Sequence, residues 1–213
     1  MQGIFPDPPS GSIDVNQTEK LLAYVFWHWR QPSAATDAYE AAQLAFQRAL
    51  AEHPSTGFVR SFSHAIVGAP WANNGGEAYE DWYLVRDSAA LDPLDEAAVT
   101  AGRRGAHDAA ASLAAAGTAG LYQLRLGTAP KTPRSAQWFV KPAGLSYPQL
   151  YAAVEPALAP VGGSLWMRRM TLGPATEFCV LADAPAALAP PFQMFAFRLR
   201  PVWSDGMAQL AQR

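Results

Sequence analysis

Apolar and polar positions follow one another along the chain in an order that comes round twice. The run Leu21 to Arg30 (LLAYVFWHWR) is short and rich in β-branched and aromatic residues, as a strand is, and Gln31-Pro32-Ser33 ends it. From Asp37 to His53 the residues Tyr39, Ala42, Phe46 and Leu50 line one helical face. Asp37 with Glu40 three residues on caps that helix, and Pro54 and Gly57 stop it. Phe58 to Val67 and Ala78 to Arg86 read as a hairpin around Asn73-Asn74-Gly75-Gly76. Asp92, Pro93 and Asp95 open a second helix reaching about Ala116, closed by Gly117 and Gly120, and Leu121 to Leu126 is a fourth strand. The order is β-α-β-β-α-β.

A basic connector from Thr128 to Arg134 precedes the second round. Ala136 to Lys141 is a strand, and Ser146 with Gln149 caps a helix that Pro156 should shorten or bend. Ser164 to Leu172 and Thr176 to Ala182 form a hairpin around Gly173-Pro174, and Phe192 to Leu199 is the last strand. Asp183 to Pro191 (DAPAALAPP) is too short and proline-rich to be the second helix. The text repeats weakly as well: LVRDSAALDP around Asp87 is similar to VLADAPAALAP around Asp183, and YQLRLG ending at Gly127 to FAFRLR ending at Arg200. The divisions expected are an arm over 1–19, a first unit over 20–128, a degenerate second unit over 135–202 and a tail over 203–213.

This order of elements resembles the ferredoxin-like βαββαβ unit, and two in tandem resemble the dimeric α+β-barrel superfamily. The resemblance spans roughly Lys20 to Val202 and rests on element order and patterning, with no diagnostic motif. It implies an α+β fold of two ferredoxin-like units whose antiparallel sheets pack face to face, the second unit lacking its second helix. Each such sheet carries helices on one face only, so the other apolar face has to be covered, and pairing the sheets covers both. The bare part of the second unit's sheet is expected to be filled by the arm, by the tail around Trp203 or by a second subunit, hence a homodimer. Cofactor-free monooxygenases and haem proteins both belong to this superfamily. His107 is the only residue onto which an axial haem ligand's role could be moved, but GRRGAHDAAAS around it lacks aromatic residues, and the second unit has no histidine. No cofactor is therefore expected, and a solvated helix face is the reading for His107.

Composition narrows the classes. The 213 residues are 50% hydrophobic and 16% charged with a net charge of −2, enough apolar content for a core and too little positive charge for a nucleic-acid partner. The first 128 residues carry 8 basic and 14 acidic side chains and the rest 8 and 4, a split of −6 and +4 that complementary halves explain. Cys179 alone makes no disulfide, and the four histidines have no metal spacing. Neither an apolar span of membrane length nor a signal peptide is read, so a cytoplasmic protein is expected.

Alternation along the strands selects candidate chemistry. Tyr24, Phe26, His28 and Arg30 share one face of the first strand, and Phe58, Arg60, Phe62, His64 and Ile66 one face of the second. The opposite face of the second strand, Val59, Ser61, Ser63, Ala65 and Val67, holds small residues suited to close helix packing, so both of these sets are expected to face the barrel interior or the partner sheet. His28, His64, Arg30 and Arg60 in an aromatic shell of Tyr24, Phe26 and Phe62 would make a pocket for a small anionic or aromatic molecule. On the third strand Tyr79, Asp81 and Tyr83 share a face; Asp81 beside a histidine would orient a general base, with Tyr83 among the binding residues. The functions in view are small-molecule binding, a cofactor-independent monooxygenase- or isomerase-like enzyme with catalytic His28, His64 and Asp81, and a non-catalytic dimerisation module.

Overall fold

A computed structural model describes residues 21–170, 173 and 175–204; the arm over 1–19, most of the tail and part of the turn at Gly173-Pro174 lie outside the described residues. The first unit runs β1 (Leu22–Arg30), α1 (Thr36–Glu52), β2 (Phe58–Val67), β3 (Glu77–Val85), α2 (Leu91–Val99), α3 (Arg104–Leu113) and β4 (Ala114–Gly127). The second runs β5 (Ser135–Phe139), α4 (Tyr147–Leu158), β6 (Ser164–Arg168), β7 (Phe178–Ala182) and β8 (Met194–Arg198), followed by β9 (Arg200–Ser204). The strands stand in the order β8-β5-β7-β6-β4-β1-β3-β2-β9. Each unit thus repeats one arrangement, β4-β1-β3-β2 and β8-β5-β7-β6, as the two rounds of sequence pattern imply.

The two sheets face each other and are also joined at both edges. Antiparallel pairing of β4 with β6, from Tyr122↔Arg168 to Gly127↔Ser164, makes one seam. The other is made by the last chain segment: β8 pairs with β5, β9 pairs with β2, and only Leu199 separates them. Leu199 N–H donates to the Arg134 carbonyl at 2.9 Å. The outermost strands of the sheet are therefore one continuous stretch, each half paired on one side, and the sheet is nearly closed there. Trp203, read from sequence as tail, is a β9 residue inside this closure.

Inside the barrel the two inner faces share one aromatic core containing Trp27, Trp82, Trp138, Trp166, Tyr122 and Phe62. Ring centroids lie 5.4 Å apart for Trp27–Trp138, 5.3 Å for Trp82–Trp166 and 5.2 Å for Tyr122–Trp138. On β1 it is Ala23, Val25 and Trp27 that point inward, so Tyr24, Phe26 and His28 face the helices; the expectation that this set faces the barrel interior or the partner sheet is overturned. The reason is that the helices of this unit stand off the sheet, leaving room for large rings beneath them. Ala78 and Ala136 meanwhile make room for indoles in the barrel.

The helix expected from Asp92 to Ala116 is broken. Thr100 is extended (φ −112°, ψ 153°), and the Arg103 guanidinium donates to the carbonyls of Ala97 and His53 across the break. Ala114 to Gly120 is strand, because β1 pairs with it from Arg30↔Ala114 to Val25↔Gly120 and this ladder outweighs the helix propensity of alanine. Gly117 leaves room there for the Phe26 ring, which a Cβ would force to turn.

In the second unit Ser146 and Gln149 form the expected capping box, and Pro156 stands two residues before the end of α4. The missing helix is replaced from within the chain: residues 183–193 lie over the outer face of the sheet, with Ala186 buried and Leu188 and Phe192 packed on Phe139, Val180 and their neighbours. Gln137 holds this strap at both polar groups of one residue, donating to the Ala186 carbonyl at 3.0 Å and accepting from the Ala186 N–H at 2.7 Å. The cover expected from the arm, the tail or a second subunit is thus supplied by the strap.

Candidate functional site

Between the outer face of β1 and β3 and the layer of α1, α2 and α3 lies a cavity of about 770 Å³. Its walls are largely apolar, with Phe46, Leu50, Leu94 and Leu121 among them, and its polar groups concentrate at one floor position and at the mouth. The floor is built by strand register. Phe26 pairs with Asp81 and His28 with Tyr79, which sets His28 diagonally beside Asp81 on the helix-facing side. His28 Nε2 stands 3.3 Å from Asp81 Oδ2, and His28 Nδ1 is 2.6 Å from the hydroxyl of Tyr39 near the start of α1. His28 stacks on Tyr79, with centroids 5.5 Å apart and planes at 10°, and on Phe26 at 5.2 Å.

The carboxylate is held by several donors. Asp81 Oδ2 also accepts from Tyr83 at 2.8 Å and from Gln47 Nε2 at 3.0 Å, and Gln47 Oε1 accepts from Ser61 at 2.6 Å. Burial alone would push the Asp81 carboxyl up; the facing His28 ring and the bond from Tyr83 outweigh it, so it sits below its ordinary value. Burial and the Asp81 charge push the hydroxyls of Tyr39 and Tyr83 up, so both stay protonated near neutrality. An ionised carboxylate only accepts, so the Nε2 proton of His28 belongs on the Asp81 side and Nδ1 accepts from Tyr39. Asp81, His28 and Tyr39 thereby stand in one line of polar groups, each 1% exposed or less, under the cavity.

Of the residues singled out in the sequence, Tyr24, Phe26, His28, Asp81 and Tyr83 come together at this cavity. The others do not. His64 and Phe62 lie on the barrel side of the sheet, where Phe62 stacks on Trp82 at 5.8 Å. Burial lowers His64 to about 4, so its ring is neutral there. Arg60 donates to the carbonyls of Ala129 and Pro130, and Arg30 donates to the Ala34 carbonyl at 2.9 Å and stands 3.7 Å from Glu77. The arginines expected to hold an anion thus face other partners, because the strand faces that carry them split between the two sides of the sheet.

Tyr39, Gln43 and Gln47 escaped the sequence reading. A signal was present: the buried stripe of α1 is Tyr39, Gln43, Phe46, Gln47 and Leu50, and two glutamines on the core face of a helix need buried partners. Another buried acid went unassigned. Glu80 points into the barrel, accepts from the indoles of Trp27 and Trp82 at 2.7 Å each, and is pushed up to about 7 by burial.

His107 also borders the cavity, edge-on to Phe46 at 5.6 Å, so it is more than a solvated helix residue. Its Nδ1 lies 3.0 Å from Asp108. Among the described residues no lysine or arginine lines the cavity to meet haem propionates, and Asp92 and Asp95 stand at the mouth where they would repel them. These residues do not fit haem.

Among the described residues no helix is long and apolar enough to cross a membrane. The sequence matches no protein-family model and no curated protein. Solved structures match by fold. A provisionally named monooxygenase from Fusobacterium nucleatum subsp. nucleatum ATCC 25586 aligns with a TM-score of 0.56 at 9% identity, over 87% of this chain and 94% of its own. A second, from Lactobacillus acidophilus NCFM, aligns with 0.53 at 11% identity, over 87% and 95%. Such low identities bear on the fold alone. Together with the doubled strand order, they show that this chain shares the fold of these structures, in keeping with the fold-level resemblance read from the sequence.

Proposed function

We propose that the cavity under α1, α2 and α3 is a small-molecule site and that Asp81, His28 and Tyr39 transfer a proton at its floor. The observation that carries this reading is the placement of one imidazole between an ionised buried carboxylate and a tyrosine hydroxyl, 3.3 and 2.6 Å away, at the base of an apolar cavity. As substrate gives a proton to the Tyr39 oxygen, the Tyr39 proton passes to His28 Nδ1, and Asp81 stabilises the imidazolium that results. The apolar walls keep water from the deprotonated substrate. Return of the proton at another atom gives an isomerase-like reaction. Where the carbon keeps a second hydrogen, the same anion adds dioxygen and takes back the proton to give a hydroperoxide, which loses water to leave a ketone: the substrate supplies the electrons, one oxygen atom stays and the other leaves as water, a monooxygenation without a cofactor, and monooxygenase is the provisional name of the two fold neighbours.

The test is hydrogen–deuterium exchange. Aryl ketones with an activated C–H, selected as cavity ligands by protein-observed NMR, are incubated in D2O with the protein. Exchange faster than in buffer is expected, and Tyr39→Phe and His28→Gln should each lower it by about a hundredfold while the ligand still binds. A bound ketone that exchanges no faster than in buffer would reduce the site to binding alone.

A further inference from the structure

The charges around the cavity are one-sided. His28 and Asp81 face each other, and His107 faces Asp108. What remains among the described residues is Asp92 and Asp95, both exposed on α2 and both lining the mouth, with no described lysine or arginine in the lining. Among the described residues neither carboxylate has a hydrogen bond or an ion pair. Asp92 lies in the first turn of α2, where the helix dipole favours an acid. Asp95 lies beyond that turn, and nothing in the helix accounts for it. Its charge acts on Tyr24, a ring at the same mouth that stacks on Phe26 with centroids 6.4 Å apart and planes at 13°. Two carboxylates at the rim of a low-dielectric cleft focus a negative potential into it, and aromatic faces beside them add a cation-binding surface.

We infer that the ligand of this cavity carries a positive charge: a protonated amine on an apolar body, its nitrogen held at the mouth by Asp92, Asp95 and the Tyr24 ring. The inference rests on reading the cavity as a small-molecule site and is independent of the proton transfer proposed at its floor. It replaces the anion expected from sequence, whose arginines are engaged elsewhere.

Three probes of one shape separate the possibilities: naphthylmethylamine, naphthylmethanol and naphthoate, a cation, a neutral molecule and an anion at neutral pH. Their binding is measured by calorimetry and by NMR shifts of cavity residues, in low and in moderate salt. The amine should bind about tenfold tighter than the alcohol at low salt, with the preference shrinking as salt is added. Asp92→Asn combined with Asp95→Asn should bring amine and alcohol level and leave alcohol binding as it was. Glu96→Gln, an exposed change on the same helix outside the lining, should keep the preference. Alcohol bound as tightly as amine, naphthoate bound tightest, or a preference that survives the double substitution would each overturn charge selection while leaving the cavity a binding site. Binding of none of the three would overturn the cavity reading together with it. Amine preference in a wild-type protein that exchanges its bound ketones no faster than buffer does would count against the proton-transfer reading alone.

Discussion

Glu80 and His64 are cross-strand partners inside the barrel, and burial moves their titrations in opposite directions. Glu80 rises from 4.5 to about 7, chiefly by desolvation, against the bonds donated by Trp82 and Trp27. His64 falls from 6.5 to about 4, chiefly by desolvation, against the Asp81 charge and a bond to the Pro133 carbonyl. For Glu80, with its folded value raised, stability is fully present below pH 4.5 and is lost as pH climbs to about 7. For His64, with its folded value depressed, stability is present above pH 6.5 and is lost as pH falls to about 4. At about 1.4 kcal/mol per pH unit, each contributes about 3 kcal/mol across its window, and the two nearly cancel. Glu80→Gln removes one arm. The difference in unfolding free energy, variant minus wild type, should then rise by about 3 kcal/mol between pH 4.5 and 7.5, whatever pH-independent cost the unpartnered amide N–H adds. His64→Gln should give a difference of opposite slope. Urea unfolding at four pH values measures both, and taking differences removes the surface carboxylates common to all three proteins. A Glu80→Gln difference that stays level within about 0.5 kcal/mol over this range would refute the buried, near-neutral carboxyl.

Three other outcomes follow from the geometry. Gln137→Ala leaves the N–H of buried Ala186 without a partner and its carbonyl with the Leu188 N–H alone, so it should cost about 1–3 kcal/mol in urea unfolding and open residues 183–193 to limited proteolysis. Gly117→Ala places a methyl against the Phe26 ring, so a loss of about 1–3 kcal/mol and weaker ligand binding are expected as that ring turns into the cavity. Asp81→Asn should destabilise the fold by about 3 kcal/mol at neutral pH and remove the part of acid unfolding that comes from a carboxyl held below 3.8, read as a shallower loss of stability toward low pH.

Strand alternation in the sequence already grouped Tyr24 with Phe26 and His28, and Tyr79 with Asp81 and Tyr83, because a side chain's parity along a strand is a local property. The doubled element order and the lost helix were legible for the same reason: capping residues, glycines and prolines act on their neighbours. Which face of β1 meets the helices was not legible. Both faces of that strand are largely apolar, one buried in the barrel and the other under the helical layer around the cavity, so composition does not tell them apart. Tyr39 reaches His28 only when α1 lies across β1, eleven residues on, and no spacing rule joins a helix turn to a strand position. The conversion of Ala114–Gly120 from helix to strand was decided by β1 offering a ladder, against the intrinsic preference of alanine. Closure by the segment from Met194 to Ser204 joins β5 to β2, strands far apart in the chain, and long-range pairing of this kind is a property of the assembled sheet. Local pattern therefore determined the elements and their facing sets. Only tertiary packing decided which set met the cavity and which met the barrel, since both environments reward the same apolar surface and only position in three dimensions separates them.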